Sequence, residues 1–482
     1  MRQLFCRKVT NFGGNVSFTP KNCYSPKTDK EVLEILDRHA DGHIRASGSL
    51  HSWSSAVVSK DVLIDLHAID RVRVSTGTKG EVFAEVGAGC TLDRLLDVLS
   101  KSKVTLPTLG AVKLQTISGA ISTATHGSGR SSLSHYIEEM RVAAYDKTTG
   151  KAKIYTWKNG DPELIAARCA VGCTGVILSV KFRCVPDYCV EENVRVYDTI
   201  KEVLAREQSF PLQQAVLLPY SWKYFSFERR VTDEEQGFLK RTFWKVYDFV
   251  TFQFLAHFML KATLFLSSVL DNKSLIPLYY TKIVPPVLRT SHTFVNKSED
   301  ALTLHTSHHD MFKHLEMELF IPERNIERAD SIIRAITSAF ADSKSALPED
   351  LVQSLREIDM YDDVMAHRGS YQHHYPFFFR SVLPDEALIS MSSGGKYYSV
   401  SFFTYLAPDA RKEFYEYAEC IARCITQLCD ARLHWGKYFP LSHAEIQRLY
   451  PSLDEFRQIC KLVDPRATFQ NDFTRVILGF GN

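Results

Sequence analysis

The chain lacks any run of about twenty apolar residues, the length a membrane-spanning helix needs. Its most hydrophobic stretch, Phe243 to Leu270, is broken by Lys245, Asp248, His257 and Lys261. It also lacks an excess of either charge. With 58 basic residues facing 56 acidic ones, there is no electrostatic footprint for nucleic acid or for an acidic partner. Cysteine pairs at metal-binding spacing are missing too. The eleven cysteines stand singly, the nearest sets being Cys169/Cys173 and Cys420/Cys424/Cys429, so they read as reduced thiols with no metal site. The opening residues Met1-Arg-Gln-Leu-Phe-Cys-Arg7 hold no apolar core of a secretory signal, which gives the expectation of a cytoplasmic location. Internal repeats and low-complexity tracts are absent as well.

What is present is enough chain for more than one core: 482 residues with 45% hydrophobic and 24% charged content predict a multidomain globular protein. From Ile44 to Pro186, short β-rich runs are separated by glycine: Val62–Leu66, Val82–Val86, Met140–Tyr145, Lys153–Trp157 and Val176–Phe182. Helices are predicted over Asp29–Arg38 and over Thr91–Leu99, the latter capped by Thr91 and repeating leucine at helical spacing. After Pro186 glycine thins and aromatics rise, placing a boundary near residues 186–195. The second unit predicts strands at Leu315–Pro322, Phe377–Val382 and Tyr397–Tyr405, and helices at Asn325–Ala341 and Arg411–Cys429. The class is α+β. Residues 243–270, bordered by Lys240, Arg241 and Lys245, fit two readings: a helix pair partly buried in the second unit, or a segment in peripheral contact with a membrane interface.

Two segments have the composition for wrapping a phosphate-bearing cofactor. In Arg45-Ala-Ser-Gly-Ser-Leu-His-Ser52, small residues let successive backbone N–H groups converge on an anion. The run Gly110-Ala-Val-Lys-Leu-Gln-Thr-Ile-Ser-Gly-Ala-Ile-Ser-Thr-Ala-Thr-His-Gly-Ser-Gly129 is dense in Gly, Ser and Thr and permits close backbone approach to a ligand. Neither carries the Lys-Ser/Thr ending of a phosphate loop or the glycine spacing of the nicotinamide turn. Tight turns alone would also fit.

These segments, with the Gly172-Cys-Thr-Gly-Val-Ile177 turn, His434-Trp-Gly-Lys437 and the closing Val463-Asp-Pro-Arg-Ala-Thr-Phe-Gln-Asn471, resemble the aldonolactone and alditol oxidase group of the vanillyl-alcohol-oxidase flavoprotein superfamily. The motifs occur in the family's order over almost the whole chain. Residues 190–310 carry little of the likeness. The resemblance implies a two-domain fold: a PCMH-type FAD-binding domain over residues 1–186, an α+β substrate (cap) domain over 187–429, and a segment 430–482 that completes the flavin site. Carried over residue by residue, Ala46, Ser47, Gly48, Ser49, Leu50, His51 and Ser52 would form the pyrophosphate loop, with His51 bonded covalently to the flavin 8α carbon. Thr116, Gly119, Thr123, Ala124, Thr125 and His126 would line FAD, and Ile177 would contact its adenine half. Lys437 would sit beside the flavin and the substrate, with His434 sharing proton transfer and Arg380 binding the hydroxyl.

The substrate side departs from the family. A Glu-x-Arg pair is expected on the strand Tyr375-Pro-Phe-Phe-Phe-Arg380, but the glutamate position is Phe378. The serine that contacts polyols in the alditol-oxidising relatives is matched by Ala111. Losing two polar contacts costs a polyol several kcal/mol at about 1–1.5 kcal/mol per neutral hydrogen bond, which points to a more apolar substrate. His367, Tyr371, His373, His374 and Glu318 are candidates for the missing base, and Gly110 is expected to leave room for dioxygen. Three functions stay open. One is oxidation of a sugar lactone, alditol or related alcohol by hydride transfer to FAD, with dioxygen giving hydrogen peroxide or with another electron acceptor, a quinone or cytochrome, in its place. Another is oxidation of a lipid-linked or apolar alcohol at a membrane surface. The third is flavin binding without turnover.

Overall fold

The computed structural model describes residues 3–4, 6–234, 238–288, 293–304 and 313–480. The predicted helices and strands form where residue periodicity placed them. Asp29–Arg38 is capped by Thr28 and buries Val32, Ile35 and Leu36 on one stripe; Leu92–Lys101 is capped by Thr91, whose hydroxyl accepts from the Arg94 N–H, and buries Leu92, Leu95, Leu96 and Leu99.

Two sheets build the N-terminal part. Asn22–Tyr24, Val62–Asp65 and Ile44–Ser47 lie side by side and parallel, with Gln3–Leu4 antiparallel at the edge. An antiparallel five-stranded sheet follows in the order Ala152–Lys158, Ile137–Tyr145, Val176–Arg183, Val82–Gly87, Val72–Thr76. These strands and the two helices share one apolar core.

The remaining chain builds an antiparallel eight-stranded sheet in the order Thr293–Lys297, Cys189–Tyr197, Tyr224–Thr232, Gln214–Leu217, Phe377–Val382, Tyr397–Thr404, Leu315–Pro322, Arg432–Leu433. Strand periodicity of two divides its faces. Met317, Leu319, Ile321, Phe377, Phe379 and Phe402 join the core formed with the helices Ile326–Ala341 and Lys412–Cys429. Glu316, Glu318, Phe378, Arg380 and Phe403 alternate with them and face a cavity.

Residues 243–270 are helical: Phe238–Asp248, a wide π-helical stretch Phe249–Met259, and Leu260–Val269. Leu260, Ile276, Tyr279, Tyr280 and Val284 pack on Val216, Phe225 and Phe403 of the large sheet, so the helix-pair reading describes one face of this segment. Among the described residues no helix is long and apolar enough to cross a membrane.

The C-terminal segment returns to the N-terminal part. Ile44 N–H donates to Thr468 O at 2.8 Å, and the Asn471 side chain donates to the carbonyls of Ser55, Ala56 and Val58 at 2.9, 3.1 and 2.9 Å. Asn471→Ala is expected to destabilise the protein by about 2–4 kcal/mol, because three carbonyls lose their donor at once. Urea unfolding followed by tryptophan fluorescence measures it; an unchanged midpoint would mean that water replaces the amide without loss.

Candidate active site

A cavity of about 300 Å³ lies between the N-terminal sheets and the eight-stranded sheet. On one side it is lined by Arg45 to Ser52, Thr116, Gly119, Thr123, Thr125, His126 and Ile177, and on the other by Glu316, Glu318, Arg380, His434 and Lys437. Thirteen of the fourteen residues expected to hold FAD therefore line one space. The exception is Ala124, which is buried and absent from the lining; it closes the helix Ile117–Ser122 with a left-handed backbone, φ 53°.

Whether this wall suits FAD can be tested on the residues themselves. A Cβ added at Gly48 would overlap the Thr116 hydroxyl, so only glycine lets the two segments close on each other. The Thr116 Oγ1 is buried and has no protein partner, which leaves it to a ligand. Among the described residues, the N–H groups of Gly48, Ser49 and Leu50 donate to no protein group, as a loop awaiting a pyrophosphate would require. Arg45 fastens the far side by donating to the carbonyls of Phe469, Val171 and Gly172. The residues fit the cofactor. His51 lies on the same wall with its ring 5.0 Å from that of Phe12.

Across the cavity sits a buried charge cluster. Glu318 Oε1 lies 3.3 Å from His126 Nε2, 3.9 Å from Arg380 Nη1, and accepts from Ser401 Oγ at 3.2 Å. Lys437 Nζ donates to Glu316 Oε2 and rests 4.5 Å above the Trp53 ring; His314 Nε2 is 3.7 Å from the same carboxylate oxygen. The Gly436 N–H donates to His434 Nδ1 at 3.0 Å, so a neutral His434 carries its proton on Nε2. His126, Glu318 and His434 bring three ligand-type atoms within 4.8 Å of one another, yet Arg380 and Lys437 stand beside them and oppose a further cation. The trio reads as a hydrogen-bonding cluster.

The carboxylate missing at Phe378 is thus supplied from another strand. Phe378 and Glu318 both stand opposite Ser401, from the two sides of Tyr397–Thr404, and Glu318 reaches across toward Arg380. Of the base candidates only Glu318 lines the cavity. His373 is buried against Phe377 at 4.5 Å, His374 accepts from the Tyr405 N–H at 3.2 Å, and His367 stacks on Phe340. Glu316, the partner of Lys437, was not singled out in the sequence, although its i, i+2 spacing from Glu318 in Leu315–Pro322 is a visible sign that both face the same way. Gly110 departs from expectation. It does not line the cavity, although its neighbour Ala111 does, and a Cβ there would overlap the Thr125 methyl, so this glycine allows close packing.

Burial acts first on both His434 and Glu318. It pushes His434 down to about 3, with Lys437 and His126 adding to the effect against Glu318. It would raise Glu318, but His126 and Lys437 hold that carboxyl well below its usual range. An unfolded histidine near 6.5 binds a proton that folded His434 refuses, so the folded state loses stability as pH falls from about 6.5 toward 3, and Glu318 adds a loss in the same direction below about 4.3. The melting temperature should therefore drop between about pH 6.5 and 4, and His434→Gln should flatten that slope. Equal slopes in the two proteins would assign the acid sensitivity elsewhere.

Comparisons with known proteins agree with this geometry. Residues 180–477 match the family model for D-arabinono-1,4-lactone oxidase, and residues 20–149 match an FAD binding domain. The chain is 40% identical over 470 residues to a long-chain alcohol oxidase of an uncultured marine euryarchaeote, spanning 97% of this chain and 96% of the relative. It is 24% identical to L-gulonolactone oxidase of Mus musculus over 96% of both chains. In fold it is similar to cholesterol oxidase from B. sterolicum, with a TM-score of 0.74 at 15% identity, covering 99% and 97% of the two chains. The α+β fold expected from the sequence, a PCMH-type FAD-binding part joined to a second unit, is the one found.

Proposed function

Since this chain belongs to the D-arabinono-1,4-lactone oxidase family and is an FAD-dependent oxidoreductase acting on CH–OH donors, we propose that its substrate is a long, apolar alcohol and its electron acceptor dioxygen, with hydrogen peroxide as product. The observation that carries this reading is the apolar wall beside the charge cluster. Tyr375, Phe378 and Phe403 line it, the rings of Phe378 and Phe403 5.5 Å apart, with Ala111 and Val112 also on the lining. A polyol would find few partners on such a wall, the Tyr375 hydroxyl among them, whereas each buried methylene of a hydrocarbon chain gains about 0.8 kcal/mol. The 40% identical relative, named a long-chain alcohol oxidase, supports the same choice.

FAD, when bound, accepts the hydride from the carbon bearing the hydroxyl. In this reading Arg380 and Lys437 orient the hydroxyl, and its proton passes to the paired His126 and Glu318, with His434 beside them. His51 holds the cofactor covalently. Ala46 to Ser52, Thr116, Gly119, Thr123, Thr125 and His126 bind its pyrophosphate and ring system, and Ile177 its adenine half. Residues 1–186 and 430–482 together form the cofactor domain, and residues 187–429 cover the substrate. Residues 243–270 make peripheral contact with the membrane that carries such an alcohol.

Anaerobic mixing with a series of primary alcohols, aldonolactones and alditols tests the substrate. Bleaching of the flavin absorbance should be fast with long-chain alcohols, and kcat/KM should climb about threefold to fourfold per added methylene until the cavity is filled. Bleaching by lactones and polyols alone would overturn the reading and leave FAD binding untouched.

A further inference from the structure

Twelve of the fifteen large apolar side chains exposed among the described residues fall between Phe243 and Val287. Phe258, Phe265, Val269 and Leu270 are each more than 60% exposed. Together the twelve present on the order of 1,000 Å² of apolar surface within one segment, where the largest contiguous patch of a typical soluble monomer is a few hundred Å². The opposite face of the same helices is buried on the large sheet, so these side chains form a second apolar set turned away from it.

Its charge is one-sided. The charged side chains facing solvent with it are Lys245, Lys273 and Lys282 against Asp271. Asp248 turns inward to the cavity, where burial and Glu192 raise its carboxyl to about 6. Lys261 is held over the Tyr405 ring at 5.1 Å. Lys240 and Arg241 border the face in sequence, but their side chains lie outside the described residues. Exposed aromatic and aliphatic groups with more lysine than acid on the same helices match an anionic lipid surface: the apolar groups enter the acyl boundary and the ammonium groups stay with the headgroups.

The face also meets the cavity. On the helix Phe238–Asp248, Trp244, Tyr247 and Asp248 line the cavity while Phe243 and Val246 stand on the exposed side, and His257 reaches the lining from the next turns.

We propose that this face seats on an anionic bilayer and that the alcohol passes from the lipid past Trp244 and Tyr247 to the charge cluster without crossing water. The proposal rests on an apolar alcohol being the substrate. Its test uses the full-length FAD-loaded protein with vesicles of phosphatidylcholine, with and without phosphatidylglycerol, and the variant Phe258→Glu/Phe265→Glu, whose substitutions lie outside the cavity. The wild type should float with the phosphatidylglycerol vesicles and bind more weakly in high salt, and the variant should stay behind. Turnover of a long-chain alcohol carried in those vesicles should fall at least about tenfold in the variant, while turnover of a short water-soluble alcohol stays the same. Equal flotation of the two proteins, or vesicle turnover unchanged in the variant, overturns the proposal. So does a wild-type dimer that the variant converts to monomer without any flotation, since a second copy would then cover the face. If the wild type floats but oxidises no apolar alcohol even in detergent, the substrate reading fails and the docking surface stands by itself.

Discussion

His51→Ala should yield a protein whose yellow colour passes entirely into the supernatant when the polypeptide is precipitated with acid, whereas the wild-type pellet stays yellow and its denatured band fluoresces on a gel. The expectation comes from the wall on which His51 stands: among the described residues the N–H groups of Gly48, Ser49 and Leu50 and the Thr116 hydroxyl have no protein partner, and all line the same space. Those contacts remain in the variant, so FAD should still bind reversibly and part of the activity should survive, reduced on the order of tenfold because the ring loses an electronic and positional constraint. Acid-stable colour in the variant would place the bond on another residue. Free flavin from the wild type would remove the covalent reading altogether.

Lys437→Met is expected to be more damaging, and in two separable ways. Lys437 is the ionic partner of Glu316, whose side chain is 5% exposed, and the imidazole of His314 lies 3.7 Å from the same carboxylate. Removing the ammonium leaves a buried carboxylate uncompensated, a loss of about 3–5 kcal/mol of stability. It also removes a fixed positive charge from the reacting site, which lowers kcat by about two to three orders of magnitude. The double variant Lys437→Met/Glu316→Gln separates the effects: neutralising the stranded carboxylate should return most of the stability and little of kcat. Recovery of both would make the pair a packing device only, and recovery of neither would mean that Lys437 holds the fold through the Trp53 ring, 4.5 Å away.

Much of the cofactor side was legible in the sequence because backbone binding needs small residues in consecutive positions, and such runs are local. Gly48 against Thr116 and the Thr91 cap are features of this kind. The substrate side was less legible. Phe378 and Ala111 announced an apolar wall, but Glu318 acts from a strand two places away in the sheet, and nothing in linear order ties it to Arg380. His373 and His374 were candidates for the base in the sequence; both are buried in the loop before the strand Phe377–Val382, His373 against Phe377 and His374 accepting from the Tyr405 N–H, and neither lines the cavity. Gly110 is silent in its own way: a glycine reports that something lies close, here the Thr125 methyl, without saying whether a ligand lies there too.

By itself, then, the sequence determined the α+β class, the more strongly periodic helices and strands of both units, the loop around His51 and the loss of a polar residue at 378. These follow from periodicity and from side-chain volume at neighbouring positions. The tertiary structure alone decided that Glu316 and Glu318 meet Lys437 and Arg380, and that one face of residues 243–270 is buried while the other stays open. Both depend on register between strands far apart in the chain, where side chains reach each other across hydrogen-bonded backbones rather than along one.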